Sequence, residues 1–148
     1  MEAPIKYLEI KKKAPNFKET EIDETPSFDP AVKGSVGYKG CVAIALYNSK
    51  EGALFHCSQF PAYLEKNFRE YVEKLSKKKN ISNLKAKIIS VNGLWAREER
   101  KTLEKVLNKL KIPFILYITN SKKPRSIIFY TQTGDLKMFF SNRRTKKI

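Results

Sequence analysis

One cysteine and the single histidine of the chain are the residues whose types and spacing could support nucleophilic chemistry. Cys41 opens an apolar run at residues 41–47, and His56 lies in a second apolar run at residues 53–57. A histidine within hydrogen-bond reach of a thiol takes its proton and leaves a thiolate, the reactive form of cysteine. We therefore predict that Cys41 is a nucleophile and His56 its base, the two forming a thiolate–imidazolium pair. The alternative is that both are core residues, since cysteine packs well as a small hydrophobe.

The two apolar runs predict a β-hairpin that would bring these residues together. Residues 48–52 have the composition of a turn. Pairing the strands about the centre of this turn places His56 opposite positions 42–43, and a stagger of one residue or a bulge brings it beside Cys41. Cys57 follows His56 directly, so it points to the opposite face of the strand and is predicted to be a core residue.

The segment before the cysteine contains two glycines, Gly37 and Gly40, in the sequence Ser35-Val-Gly-Tyr-Lys-Gly-Cys41. A glycine-containing loop lets backbone N–H groups converge beside a side chain, which is the arrangement that an oxyanion hole requires. We predict that this segment is a loop whose N–H groups stabilise the charge that develops when the cysteine attacks.

The rest of the pattern predicts the elements that must position this segment. Apolar residues at three- and four-residue steps predict helices at residues 60–75 and at about 96–111. Further strands are predicted at residues 84–91, 113–119, 125–131 and 135–140, the last two joined by a hairpin turn at 132–134. The order β-β-α-β-α-β-β-β predicts an α+β fold, with a mixed or antiparallel sheet or sheets and two helices on one side.

Length and charge predict one basic domain. The 148 residues suit a single domain at 34–148, preceded by an irregular arm at 1–33 that contains prolines and acidic residues, and the basic tail at 142–148 is predicted to be loose. The net charge is +15, of which the first 30 residues contribute −2 and the remainder +17. Such a surface favours an acidic partner.

Several classes of protein do not fit the composition. No apolar run approaches the roughly 20 residues of a membrane-spanning helix, and the N-terminus lacks the apolar core of a secretory signal. Two cysteines and one histidine are too few for a structural zinc site, so no metal and no cofactor are expected. We expect a soluble monomer.

The motifs around the cysteine resemble those of the chemotaxis receptor glutamine deamidases (CheD). That family carries Thr-x-Gly-x-Gly-Ser-Cys-Val, a short hairpin, and then a Gly-Ala/Gly-x-x-His segment ending near a proline. This chain reads Ser35 to Val42 in the first place and Gly52-Ala-Leu-Phe-His56 in the second, followed by Pro61. Later in the chain, Arg125-Ser126 and Thr133-Gly134 match the family's Arg-Ser and Thr-Gly hairpin, so the resemblance covers about residues 34–140. The catalytic domain of the cytotoxic necrotizing factor toxins is similar in fold and in its Cys–His pair.

The resemblance implies a fold, an activity and residue roles. The fold would be that of CheD and the necrotizing factors, and the activity would be deamidation of glutamine side chains in a protein substrate, without a cofactor. Cys41 would attack the carboxamide, and His56 would be the base and later the acid that protonates ammonia. Ser35 would orient the histidine, and N–H groups near Gly40 and Cys41 would form the oxyanion hole.

The chain departs from the family motif in several places, and three other functions are alternatives to deamidation. Lys39-Gly40 replaces the family's Gly-Ser, and residues 120–124 replace a Gly-Gly loop on the substrate side. With the long arm and the basicity, these favour a bacterial toxin or effector over a chemotaxis enzyme, located in the bacterial cytoplasm or delivered into a host cell by a route that needs no signal. The alternatives are a basic module that binds nucleic acid or protein without catalysis, a cysteine peptidase, and a transglutaminase.

Overall fold

The computed structural model describes residues 4–38, 40–58, 60–78, 83–119, 125–140 and 145–148. Within these residues the chain forms three helices, which are α1 (Ile5–Lys13), α2 (Pro61–Ser76) and α3 (Leu94–Lys109). It also forms nine strands, which are β1 (Lys18–Glu19), β2 (Lys33–Tyr38), β3 (Val42–Tyr47), β4 (Gly52–Cys57), β5 (Lys85–Val91), β6 (Phe114–Thr119), β7 (Arg125–Tyr130), β8 (Asp135–Phe140) and β9 (Thr145–Lys147).

The strands form two mixed sheets that lie face to face. The five-stranded sheet has the order β1-β2-β7-β8-β9, and the four-stranded sheet has the order β4-β3-β5-β6. The first sheet is antiparallel except for β1 with β2, and the second is antiparallel except for β5 with β6. The parallel pair β5 and β6 is joined through α3, as a parallel crossover requires. The predicted α+β class is confirmed.

Three apolar clusters separate four layers. One cluster lies between α2, α3 and the four-stranded sheet, where alternate residues of β3 and β4 meet Leu64, Phe68 and Leu103. The second fills the space between the two sheets and includes Ala43, Leu54, Ile89, Ile127 and Phe129. The third packs α1 on the outer face of the five-stranded sheet, with Tyr7 against Ile128 and Phe139. The layer order is therefore helices, sheet, sheet, helix.

The two predicted helices form for the expected reasons. In α2 the buried residues are Leu64, Phe68, Val72 and Leu75, at steps of three and four residues, which gives the helix one apolar face. Pro61 occupies the first turn, where its missing N–H group is not needed for an intrahelical bond. In α3 the buried residues Ala96, Glu99, Leu103, Val106 and Leu107 follow the same spacing, but one of them is a carboxylic acid.

The arm and the tail correct the prediction. Residues 1–33 are not irregular throughout, because they contain α1 and β1 and bury Tyr7 completely. Tyr7 is the only buried residue of α1, so the helix has no periodic apolar face that local sequence could indicate. The tail is not loose over its whole length, since residues 145–147 form β9 beside β8, while residues 142–144 lie outside the described residues. None of the helices in the described residues is long and apolar enough to cross a membrane.

Candidate active site

The hairpin of β3 and β4 places the histidine on the face between the two sheets. Ala43 pairs with His56 and Val42 with Cys57, so the predicted register is confirmed, and the pairing runs from Val42 to Tyr47 without the predicted stagger or bulge. Side chains alternate along each strand, and the residues next to His56 on its face, Ala43 and Leu54, belong to the cluster between the sheets. Cys57 belongs instead to the cluster under the helices, which agrees with its prediction as a core residue.

Ser35 reaches the histidine from the opposite sheet and defines its tautomer. The Ser35 hydroxyl donates a hydrogen bond to the backbone carbonyl of Thr20, and its Oγ lies 2.9 Å from Nδ1 of His56. A hydroxyl has one hydrogen, and Thr20 O can only accept. Ser35 Oγ must therefore accept a hydrogen bond from Nδ1–H. Because Nδ1 carries the proton, Nε2 of a neutral His56 carries the lone pair and is the basic atom.

Tyr38, from the same strand as Ser35, stacks on the imidazole. The ring centroids of Tyr38 and His56 lie 3.7 Å apart, and the rings are 16° from parallel. The Tyr38 hydroxyl donates a hydrogen bond to the carbonyl of Phe55 at 3.2 Å, which fixes the tyrosine against the strand that carries the histidine. Tyr38 therefore fixes the plane of the imidazole, and Ser35 fixes its Nδ1 atom.

Burial keeps the imidazole neutral. His56 is 1% exposed, and desolvation lowers the pKa of its side chain from 6.5 to about 4. Its Nε2 atom is buried and has no hydrogen-bond partner among the described residues. The predicted thiolate–imidazolium pair therefore does not describe the resting site, because the histidine is uncharged near pH 7. A neutral base that takes the thiol proton as the sulfur attacks agrees better with this burial.

Cys41 precedes β3 at the open end of the hairpin. It is partly exposed, is not in a disulfide, and packs against the cluster between the sheets, the face on which His56 lies. Arg125 of β7 is buried, which lowers the pKa of its guanidinium, while its electrostatic interaction with Cys41 acts in the opposite direction. This cation favours negative charge at the sulfur. Direct contact between Cys41 and His56 stays a prediction.

The segment before the cysteine is mostly strand, which corrects its prediction as a loop. Ser35 and Tyr38 both belong to β2, and the register of that strand with β7 shifts between them. Gly37 has a φ of +81°, a conformation that side chains disfavour, so the glycine accommodates this bulge. The bulge changes which residues share a face, and the hydroxyl of Ser35 and the ring of Tyr38 both meet His56.

Only part of the predicted oxyanion hole belongs to the described residues. Gly40 is exposed beside Cys41, but Lys39 lies outside the described residues, as do residues 120–124 of the predicted substrate-side loop. An oxyanion hole formed by N–H groups near Gly40 and Cys41 stays a prediction.

Sequence reasoning missed the part of the arm that supports the site. The N–H group of Thr20 donates to Gly34 O at 2.9 Å, which holds the carbonyl that accepts from Ser35. The N–H group of Asp23 donates to His56 O at 2.7 Å, and its carboxylate accepts from the N–H group of Ser58 at 2.8 Å. These contacts join residues far apart in the chain, and no local pattern at positions 20–23 indicated them.

The other face of β4 holds two further buried groups. Burial raises the pKa of the Cys57 thiol well above its ordinary value, with smaller contributions from Glu99 and Asp23. Burial likewise raises the pKa of the Glu99 carboxyl to about 8, and neither carboxyl oxygen has a hydrogen-bond partner among the described residues. The described residues contain no group of three or more His, Cys, Asp and Glu side chains that could hold a metal ion.

No protein-family model matches this chain, and no curated protein matches it. The candidate site therefore depends on its own geometry, and the resemblance to the glutamine deamidases stays a prediction.

Proposed function

We propose that this chain is a cysteine-dependent protein glutamine deamidase. The observation that carries the proposal is the hydrogen-bond chain from Thr20 O through Ser35 Oγ to Nδ1 of His56, which leaves a buried Nε2 with its lone pair available. A nucleophile, a base and a group that orients the base are the parts that acyl transfer requires. The partly exposed Cys41 supplies the nucleophile on the same face of the sheet.

The proposed reaction has two halves. His56 Nε2 takes the proton of the Cys41 thiol while the sulfur attacks the carboxamide carbon of a substrate glutamine. The tetrahedral oxyanion accepts hydrogen bonds from N–H groups near Gly40 and Cys41, and the positive charge of Arg125 stabilises it. The C–N bond then breaks, and ammonia leaves with the proton from Nε2.

The second half regenerates the enzyme. His56 Nε2 takes a proton from water, and the resulting hydroxide attacks the thioester carbon. The C–S bond breaks, Cys41 receives the proton back from Nε2, and the side chain leaves as glutamate. The net reaction consumes one water and releases one ammonia for each glutamine.

Intact-mass spectrometry of a glutamine-bearing protein after incubation tests the proposal. We expect a gain of about 1 Da for each modified glutamine, together with stoichiometric ammonia, because a thioester formed on a carboxamide expels ammonia before water enters. Cys41→Ala removes the nucleophile and should give no gain. Backbone cleavage would indicate a peptidase, amine incorporation would indicate a transglutaminase, and the same mass pattern with Cys41→Ala would contradict the mechanism.

A further inference from the structure

Four large apolar side chains form an exposed surface at the starts of α2 and α3. They are Phe60, Tyr63, Leu94 and Trp95, which are 64%, 65%, 77% and 44% exposed, and we call them the aromatic patch. The rings of Phe60 and Trp95 are in contact, with centroids 5.2 Å apart and planes at 83°, so the patch bridges the two helices. Contiguous exposed apolar surface of this kind marks sites of protein interaction.

The aromatic patch lies at the same end of the four-stranded sheet as the candidate nucleophile. In the register of β3, Val42 pairs with Cys57 and Ala43 with Ile89, so the ends of β4 and β5 are level with Cys41. Phe60 follows β4 by three residues, and Leu94 follows β5 by three residues. Three residues span at most about 11 Å, so the patch adjoins the end of the sheet at which a substrate would reach the sulfur.

Basic side chains outnumber charged acids at the starts of the two helices. Arg97, Arg100 and Lys101 lie in α3 within six residues of Trp95, against two nearby acids: the exposed Glu98, and Asp23, whose carboxylate accepts from the N–H group of Ser58. Glu99 is buried, and its pKa of about 8 leaves it largely uncharged near pH 7. The whole chain carries +15. A second copy of this chain would bring like charges together at the patch, whereas an acidic protein would bring complementary charge.

We propose that the aromatic patch docks an apolar segment of an acidic protein substrate and so presents its glutamine to Cys41. The inference rests on the proposed deamidase function and adds a surface that determines the substrate. Phe60 and Trp95 supply the apolar contact, and the basic residues of α3 supply the preference for acidic chains. Small carboxamides, which do not extend to the patch, are independent of it.

The single tryptophan makes the docking directly measurable. Trp95 is the only tryptophan of the chain, so its fluorescence reports on the patch. In the Cys41→Ala chain, which lacks the proposed nucleophile, titration with an acidic, glutamine-containing peptide that carries leucine and phenylalanine but no tryptophan should shift the emission of Trp95 to shorter wavelength and saturate. Phe60→Ser combined with Tyr63→Ser should weaken the binding at least tenfold. Both residues are exposed, so the fold should persist, as circular dichroism would verify.

A matched control and a parallel activity assay separate the two proposals. Ile5→Ser changes an equally exposed residue of α1 (59% exposed), which packs on the other sheet, and should leave the affinity unchanged. With Cys41 present, the double variant should raise KM for the same peptide about tenfold and leave the turnover of a blocked glutaminyl dipeptide unchanged. No emission shift, or equal affinity in the double variant, would overturn the docking surface. A peptide that binds at the patch but keeps its glutamine would contradict the deamidase function and leave the surface intact.

Discussion

His56 and Cys57 are adjacent in β4, yet they meet different environments on the two faces of the four-stranded sheet. His56 faces the five-stranded sheet, where Ser35 binds one nitrogen and Tyr38 covers the ring. Cys57 faces the helices, where burial raises the pKa of its thiol. The comparison shows that alternation along one strand separates an oriented imidazole from a buried thiol of raised pKa. Of the two cysteines of the chain, only Cys41 packs on the face of the histidine.

The same comparison extends to the two buried titratable groups. Both His56 and Glu99 are held in their neutral forms by burial. His56 has a hydrogen-bond partner at Nδ1, and its buried Nε2 has none among the described residues, which leaves the lone pair available for the proposed proton transfer. Glu99 has no hydrogen-bond partner among the described residues at either oxygen and is buried in α3 beside Ala96 and Leu103, which belong to the cluster under the helices. The faces therefore differ in whether the buried polar group is oriented for chemistry.

Replacing each cysteine by alanine in turn should give the largest difference in activity between the two faces of the sheet. Cys41→Ala should reduce the rate of glutamine conversion at least about 10³-fold, because removal of the nucleophile of a catalytic unit has effects of this size or larger. Cys57→Ala should leave the rate within about threefold, since it removes one small core side chain. Ammonia release from the glutamine-containing peptide measures both rates. A loss of activity in Cys57→Ala that is as large as in Cys41→Ala would contradict the proposal that the reaction takes place on the face that carries Cys41 and His56.

Removing the hydroxyl of Ser35 should have the next largest effect. Without it, Nδ1 of His56 loses its acceptor and the proton can move to the other nitrogen, so Ser35→Ala should lower kcat about 10²-fold, in the range attributed to positioned acid–base groups. Ser35→Thr keeps the hydroxyl and should recover most of the activity. Equal kcat values for the alanine and threonine variants would contradict a role in orienting the histidine.

The pH dependence of kcat/KM should reflect the buried base. His56 must be unprotonated to accept the thiol proton, and its pKa of about 4 keeps it so above pH 5. We expect similar kcat/KM values at pH 5.5 and pH 7.5, whereas a histidine with an ordinary pKa near 6.5 would lose about tenfold at the lower value. A fall of that size would show that the imidazole is not held neutral.

The carboxyl group on the opposite face should affect stability and not catalysis. A raised pKa means that the folded chain binds a proton that the unfolded chain releases, so stability is largest below pH 4.5 and is lost as the pH rises through about 8. Glu99→Gln should remove this loss and raise the urea midpoint at pH 9, with a smaller change at pH 5. Glu98→Gln, an exposed neighbour, is the control and should change neither midpoint. Equal effects of the two variants would contradict the buried neutral acid.

Local pattern was sufficient to predict the elements that carry the proposed catalytic groups. Apolar runs and a turn predicted the hairpin, its register and the opposite orientation of His56 and Cys57, and periodicity predicted α2 and α3. It was insufficient for the parts made by distant segments. Ser35 and Tyr38 reach the histidine only because the two sheets stack, and Thr20, which follows β1, accepts the hydrogen bond of Ser35. The neutral state of the imidazole follows from burial by that stacking, so sequence alone suggested an ion pair.

The most direct test of the central claim is to trap the acyl-enzyme. The chain is incubated with a blocked glutaminyl dipeptide, quenched in acid during turnover, digested and analysed by mass spectrometry. The account predicts that the peptide containing Cys41 gains the mass of the substrate less that of ammonia, that hydroxylamine removes this adduct, and that Ser35→Ala reduces it. Conversion of the substrate without an adduct at Cys41, or with an adduct at Cys57, would contradict the account.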